Sequence, residues 1–216
     1  MTSALPAPDG LIFDLDGTLW DTNAVCAQAW NQAAKKLGYE VRPVGEEDLR
    51  RVCGLAHREC IRRSFESLDE AQVDALSTLT EAEDNAAIAE HGGRLYPNVV
   101  SLMTELAQRL PLFIVSNCQA GYIEIFLAQS GLAGSVRDFE CWGRTKASKS
   151  ENLRSVIKRN GLTAPWYVGD TDGDRTAARD NAVKFVYASY GFGALHEWDA
   201  RIDAFGELAG LLAAPA

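Results

Sequence analysis

Three observations predict a doubly wound α/β fold, a parallel sheet with helices on both faces, carrying an all-helical domain inserted after the first strand. From residue 97 onward, short apolar runs alternate with helical stretches, the pattern of βαβ units whose strands are buried on both sides. Residues 21–93 show helical periodicity and no convincing strand. Polar residues capable of chemistry recur where the apolar runs end, and those strand ends are where open parallel sheets bind ligands. The expected division is an α/β core made of 1–20 and 94–216, with the helical domain at 21–93 and linkers at 19–22 and 91–97.

The first element is the apolar run Leu11-Ile12-Phe13, read as a buried strand. Asp21 or Thr22 then caps a helix to about residue 37, with Val25, Ala29, Trp30, Ala33 and Leu37 near one face and Gly38 ending it. Pro43 marks 41–45 as a connection. Short helices are expected near 46–53 and 57–68, parted at Gly54, and a longer one over 69–90 closed by Gly92-Gly93. Beyond it the spacing predicts helix 97–109, strand 112–115, helix 120–129, a weaker strand 136–140 and helix 149–160. Strand 166–168, helix 174–181, strand 183–187 and a terminal helix 204–212 complete the pattern.

At 216 residues, 47% apolar and 24% charged, the composition is that of a globular protein with a substantial core. The net charge of −9, from 21 basic and 30 acidic side chains, argues against general binding to nucleic acid or to an anionic membrane. A bound cation would still permit an anionic substrate. No run approaches a membrane span, and residues 1–10 have neither a basic segment nor a long apolar one, so no signal peptide is expected. Cys26, Cys53, Cys60, Cys118 and Cys141 are odd in number and contain no Cys-x-x-Cys pair. They fit reduced thiols of a cytoplasmic protein better than disulfides or a zinc site.

Asp14 and Asp16 stand at alternate positions where the first apolar run ends. Carboxylates are disfavoured in strands and costly to bury unpaired, so this pair calls for a cation. Asp-Gly alone would be an ordinary turn; the whole Asp14-Leu15-Asp16-Gly17-Thr18 string after an apolar run points to a site. Ser116-Asn117 follow strand 112–115 and suit a helix cap or an anion contact, roles that coexist at a helix N-terminus. In the loop after 166–168, Asp170, Asp172 and Asp174 match the first three ligand positions of an EF-hand. Arg175 and Asn181 stand where that motif requires glycine and an acid, so the calcium reading fails. Few hard oxygens at a strand end suit Mg²⁺, with Asp170 a direct ligand, Asp174 a ligand or water-mediated partner, and Asp172 a solvated turn residue. Lys149, opening helix 149–160, is the cation expected opposite these acids, with Lys146 its rival.

Together Asp14-Leu15-Asp16-Gly17-Thr18, Ser116-Asn117, Lys149 and Gly169-Asp170 with Asp174 resemble, in order and over almost the whole chain, the four motifs of the haloacid dehalogenase-like superfamily in its phosphatase branch. The helical insert after the first motif is similar to that superfamily's mobile cap. Tyr96-Pro97-Asn98-Val99 and Tyr190-Gly191-Phe192-Gly193 resemble the phosphoglycolate phosphatase-like group. The resemblance implies that Asp14 attacks phosphorus to form an aspartyl-phosphate, while Asp16 protonates the leaving alcohol and then activates water. It implies Mg²⁺ held by Asp14, the Asp16 carbonyl and Asp170, with Asp174 at the metal site, and Thr18, Ser116, Asn117 and Lys149 around the phosphoryl oxygens. Dehalogenation is not expected, because a halide leaving group needs no acid where Asp16 stands.

The implied activity is hydrolysis of a small phosphorylated metabolite, 2-phosphoglycolate first among candidates. A hexose-phosphate mutase and a catalytically silent phospho-ligand binder on the same fold are the alternatives. Within the cap, 42–63 holds six arginines against four acids, and 69–90 holds seven acids and no base. Arg50, Arg51, His57 and Arg58, near Gly54, are candidates to meet the distal end of an anionic substrate when the cap closes. Otherwise the two segments are solvated faces of opposite sign. Nothing in the residues decides between a monomer and a homodimer.

Overall fold

The computed structural model describes residues 5–213; the ends of the expected core, 1–4 and 214–216, lie outside the described residues. After β1 (Leu11–Phe13) and β2 (Trp20–Asp21) come four helices, α1 (Asn23–Lys36), α2 (Glu46–Arg50), α3 (His57–Ser64) and α4 (Glu70–His91). Then β3 (Arg94–Leu95), α5 (Val99–Leu106), β4 (Leu112–Ser116), α6 (Tyr122–Ser130) and β5 (Val136–Cys141) follow. The chain continues through α7 (Trp142–Thr145), α8 (Lys149–Asn160), β6 (Trp166–Gly169), α9 (Asp172–Asp180), β7 (Lys184–Ala188), β8 (Ala200–Ile202) and α10 (Leu208–Ala213).

The main sheet has the order β5-β4-β1-β6-β7-β8, every pair parallel. The chain leaves β1 for β4 and β5 on one side and returns to β6, β7 and β8 on the other, the doubly wound arrangement expected from the sequence. Side-chain alternation sorts the strands onto two faces. Ile12, Phe113 and Tyr167 pack with Leu153 and Val156 of α8 and Ala177 and Ala178 of α9. Leu11, Phe13, Ile114 and Val168 join Met103 of α5, Phe126 of α6 and Leu208 of α10. Both faces are covered, so these strands read as near-continuous apolar runs.

The insert is helical as expected. Asp69 starts α4 through a capping box with Gln72, accepting the Gln72 N–H at 2.8 Å. Trp30, Ile61 and Leu76 of the insert belong to the same apolar cluster as one face of the sheet. Thr22 occupies the N-cap of α1, yet its hydroxyl is spent elsewhere, and the Asn23 N–H is taken by the Asp21 carboxylate at 3.0 Å.

Four features depart from the expected pattern. β2 and β3 pair antiparallel as a two-stranded ribbon across the ends of the insert, Trp20 opposite Leu95 and Asp21 opposite Arg94. Two-residue strands leave no periodicity to detect. β8 is a sixth strand on the sheet edge, where pairing with β7 rather than an apolar run defines it. Trp142–Thr145 forms the short α7. The terminal helix splits into a 3-10 turn at Phe205–Glu207 and α10.

Candidate active site

β1 delivers Asp14 to the middle of the sheet's carboxyl edge, where the Asp14 N–H donates to the Val168 carbonyl at 2.8 Å. Its carboxylate is 3% exposed and accepts from Lys149 Nζ at 2.9 Å. Ser148 caps α8 and forms a capping box with Glu151, which starts the helix one residue before Lys149 and sends that side chain inward. The same ammonium donates to Asp174 Oδ1 at 2.6 Å. Burial alone would lower the Lys149 pKa, but the charges of Asp14 and Asp174 outweigh it and hold the ammonium protonated. Lys146, the rival cation, stacks over the Trp142 ring at 3.8 Å from its centroid and does not join this group.

Asp174 is saturated with donors. Beyond Lys149, its Oδ2 accepts from the Thr171 N–H at 2.9 Å and the Thr171 hydroxyl at 2.7 Å, and Tyr167 reaches Oδ1 at 3.2 Å. Asp170 has fewer partners, the Phe192 N–H at 2.7 Å and the Thr18 hydroxyl at 3.3 Å. Gly17, at φ +81°, permits this closeness, since a β-carbon there would overlap the Asp170 carboxylate. Burial and the charges of Asp174 and Asp14 push Asp170 well above the usual carboxylate range. Asp14, Asp170 and Asp174 bring ligand oxygens within 4.8 Å of one another. With one ammonium among these buried acids, the excess negative charge and the hard-oxygen donor set fit a small divalent cation.

Asp16 faces the other way. Its Oδ1 accepts from the Tyr122 hydroxyl at 2.7 Å and from Thr22 Oγ1 at 3.4 Å, and those two hydroxyls lie 2.6 Å apart. Burial pushes the Asp16 carboxyl up to about 7, against the opposing hydrogen bond from Tyr122. An acid so placed exchanges a proton near neutral pH.

Asp14, Asp16, Ser116, Asn117 and Lys149 line one cavity of about 90 Å³ between core and insert, and His57 lines its far wall. Asn117 also bridges the two, donating to the Gly54 carbonyl at 2.9 Å. Thr18 is fully buried with its hydroxyl on Asp170, so it does not line the cavity. The arginines expected there point away. Arg50 is held by Asp21 and Glu46, each at 2.7 Å; Arg58 by Asp74 at 2.5 Å and Glu70 at 2.6 Å; Arg51 is exposed beside Asp48. Arg58 thus spends its charge on the acidic segment, while the other arginines of 42–63 pair with acids of their own segment or with Asp21. His57 is buried at 8% exposure, and burial lowers its pKa to about 4.

Four residues of the site went unread in the sequence. Tyr122 and Thr22 flank Asp16, while Asp84 and Trp30 share the far wall. Asp84 had a detectable signal. Val73, Leu76, Thr80, Asp84 and Ile88 form one buried helical stripe, so this acid sits on the apolar face of α4. Cys118 lines the cavity as a buried thiol whose pKa burial raises well above the ordinary value, so it is no activated nucleophile.

The family model described as haloacid dehalogenase-like hydrolase matches residues 11–188. A phosphoglycolate phosphatase of Synechococcus elongatus is 30% identical over 191 residues, covering 84% of each chain. One from Rhodospirillum rubrum is 28% identical over 198 residues, covering 86% of this chain and 81% of that protein. Among solved structures, a predicted phosphoglycolate phosphatase from Haemophilus somnus superposes with a TM-score of 0.83 at 20% identity, over 94% of this chain and 97% of that one. The motif-bearing strand ends, the helical insert and the matched family model together make the chain a member of the haloacid dehalogenase-like hydrolase family.

Proposed function

We propose that this protein is a Mg²⁺-dependent phosphatase that hydrolyses a small phosphate monoester through an aspartyl-phosphate on Asp14. The observation that carries the reading is the pair of acids at the end of β1 in two different environments. Asp14 is held by the Lys149 ammonium, whereas Asp16 is bonded only to hydroxyls; burial raises both carboxyls, Asp14 to about 6 and Asp16 to about 7. Such a division suits one acid to nucleophilic attack and the other to proton transfer. Asp14 attacks phosphorus, the ester P–O bond breaks, and Asp16 gives its proton to the departing oxygen. Asp16 then takes a proton from the water that attacks the aspartyl-phosphate, which releases inorganic phosphate and restores Asp14. Ser116 and Lys149 hold phosphoryl oxygens, with Asn117 at the rim joining core to cap. Thr18 acts from behind by orienting Asp170. Asp14, the Asp16 carbonyl and Asp170 would hold the cation, braced by Asp174, and the bound ion supplies charge that offsets repulsion between carboxylate and phosphate.

Residues 21–93 form the cap in this reading, hinged on the β2–β3 ribbon, and the cavity volume favours a small leaving group. The five free cysteines support a reducing, cytoplasmic setting. Relatives named as phosphoglycolate phosphatases make 2-phosphoglycolate the reference ester. The test is inorganic phosphate release from a panel of esters with and without Mg²⁺, comparing wild type with Asp14→Asn. Release that needs Mg²⁺ and vanishes in the variant is expected; a folded wild type that releases none from any ester would overturn the reading.

A further inference from the structure

Two hydroxyls, one from the core and one from the insert, converge on Asp16. Tyr122 is the first residue of α6, and Thr22 stands at the N-cap of α1. Gly121, at φ +89°, makes the turn that starts α6 and brings Tyr122 inward. The phenol ring is 4% exposed and lies edge-on against Trp20, with 5.4 Å between ring centroids. Its hydroxyl is therefore carried by a ring that packing already fixes. It lies 2.7 Å from Asp16 Oδ1 and 2.6 Å from Thr22 Oγ1.

The Thr22 hydroxyl itself is 3.4 Å from Oδ1, at the weak end of the hydrogen-bond range. Tyr122 thus makes the one short bond to this carboxyl. Both contacts fall on Oδ1. Among the described residues Oδ2 has no hydrogen-bond partner and is not closed off by the fold, and Asp16 lines the cavity. Oδ2 is the oxygen left for a ligand. No lysine or arginine pairs with Asp16 among the described residues, since Lys149 is committed to Asp14 and Asp174. A carboxylate only accepts hydrogen bonds. Once Asp16 has given up its proton, the Tyr122 hydroxyl can serve it only as a donor.

We propose that Tyr122 is a positioning residue, whose hydroxyl holds Asp16 with Oδ2 turned toward the leaving oxygen and supports the carboxylate that forms when the proton is handed over. The inference deepens the phosphatase reading and rests on it. The step itself is unchanged: the ester P–O bond and the Asp16 O–H bond break, the proton goes to the departing oxygen, and Tyr122 keeps its own proton throughout. Without the phenol oxygen, Asp16 retains only the longer contact to Thr22, and the charge formed on it lacks its one close donor.

Tyr122→Phe keeps the ring against Trp20 and removes only the oxygen. Its kcat/KM is compared with that of wild type on an alkyl phosphate from the ester panel and on p-nitrophenyl phosphate. That ratio covers the steps up to loss of the alcohol, so slow hydrolysis of the aspartyl-phosphate does not mask the comparison. The alkyl ester is expected to fall about 10–100-fold, the size of one hydrogen bond to a charged group. The nitrophenyl ester, whose leaving group needs no proton, should fall less than about threefold. Adding Tyr122→Phe to Asp16→Asn should cost less than about threefold on the alkyl ester, because the hydroxyl then has no acid to position. A residue that merely held α6 in place would act on every substrate alike. Equal losses on the two esters, no loss on the alkyl ester, or a full further loss in the Asp16→Asn background overturns the proposal. Should Tyr122→Phe fail to fold, Thr22→Val decides by the same comparison. It removes the hydroxyl beside the phenol, one that caps no helix, and should show the same split between esters at smaller size. A wild type that releases phosphate from no ester overturns the phosphatase reading and this role with it, whereas wild-type turnover with equal losses in the variant overturns the role alone.

Discussion

Lys149 carries the charge balance of the site at the scale of single residues. Its ammonium is the near neighbour of two buried carboxylates at 2.9 and 2.6 Å. Removing one partner of a buried ion pair strands the other. Lys149→Met is expected to lower unfolding free energy by about 3–5 kcal/mol at neutral pH without metal, read by urea titration. The loss should shrink in acid, where Asp14 takes up a proton. Asp16 makes a different prediction, because its role depends on the leaving group. Asp16→Asn is expected to slow hydrolysis of an alkyl phosphate by about 10²–10⁴-fold and p-nitrophenyl phosphate far less, since nitrophenolate leaves without a proton. Equal losses on both esters would remove Asp16 from proton transfer. The nature of both residues was legible in the chain, since acids in an apolar run and a lysine at a helix start stand out locally. Tyr122 was not, because a tyrosine six residues after Ser116 has no local mark of touching Asp16.

At the scale of elements, α4 shows how an acid on an apolar stripe changes a helix. Burial raises the Asp84 carboxyl to about 8 from an ordinary 3.8, so between those values the folded chain keeps a proton that the unfolded chain has lost. Stability from this group therefore falls as pH rises through that window. Asp84→Asn removes the titration and keeps an acceptor for Trp30. Its thermal midpoint, relative to wild type, is expected to climb steadily from pH 4 to pH 8. A flat difference would show that Asp84 is ionised in the folded cap. His57 acts in the opposite sense, since its pKa falls to about 4 from 6.5 and stability is lost as pH falls through that interval. The pairing of Arg58 with Asp74 and Glu70 belongs to this scale too, since α3 and α4 use their opposite charges on each other.

For the whole molecule, the site exists because the sheet, the acidic loop after β6 and the cap meet at one edge. Asp21 lies between Arg50 of α2 and Arg94 of β3, each at 2.7 Å, and Arg50 also stacks over Phe192 of the core. Asn117 to Gly54 is a second tie between core and cap. A cation bound only by the assembled acids stabilises the fold by mass action. Millimolar Mg²⁺ at about 100 times its dissociation constant is expected to add about 2.7 kcal/mol, a rise of roughly 5–10 °C in thermal midpoint for a chain of this size. Asp170→Asn should abolish that rise, and an undiminished shift would exclude Asp170 as a ligand. The sequence by itself determined the fold class, the helical insert and the residue types at the strand ends, because apolar period, caps and short motifs are local properties of the chain. The tertiary structure alone decided which of those residues share a cavity. It sent Thr18 to Asp170 and Arg50 to the buried Asp21, brought Asp84 and Trp30 to the far wall, and paired β2 with β3 and β7 with β8. Contacts between residues dozens of positions apart depend on packing and charge in three dimensions, and no window along the chain contains both partners.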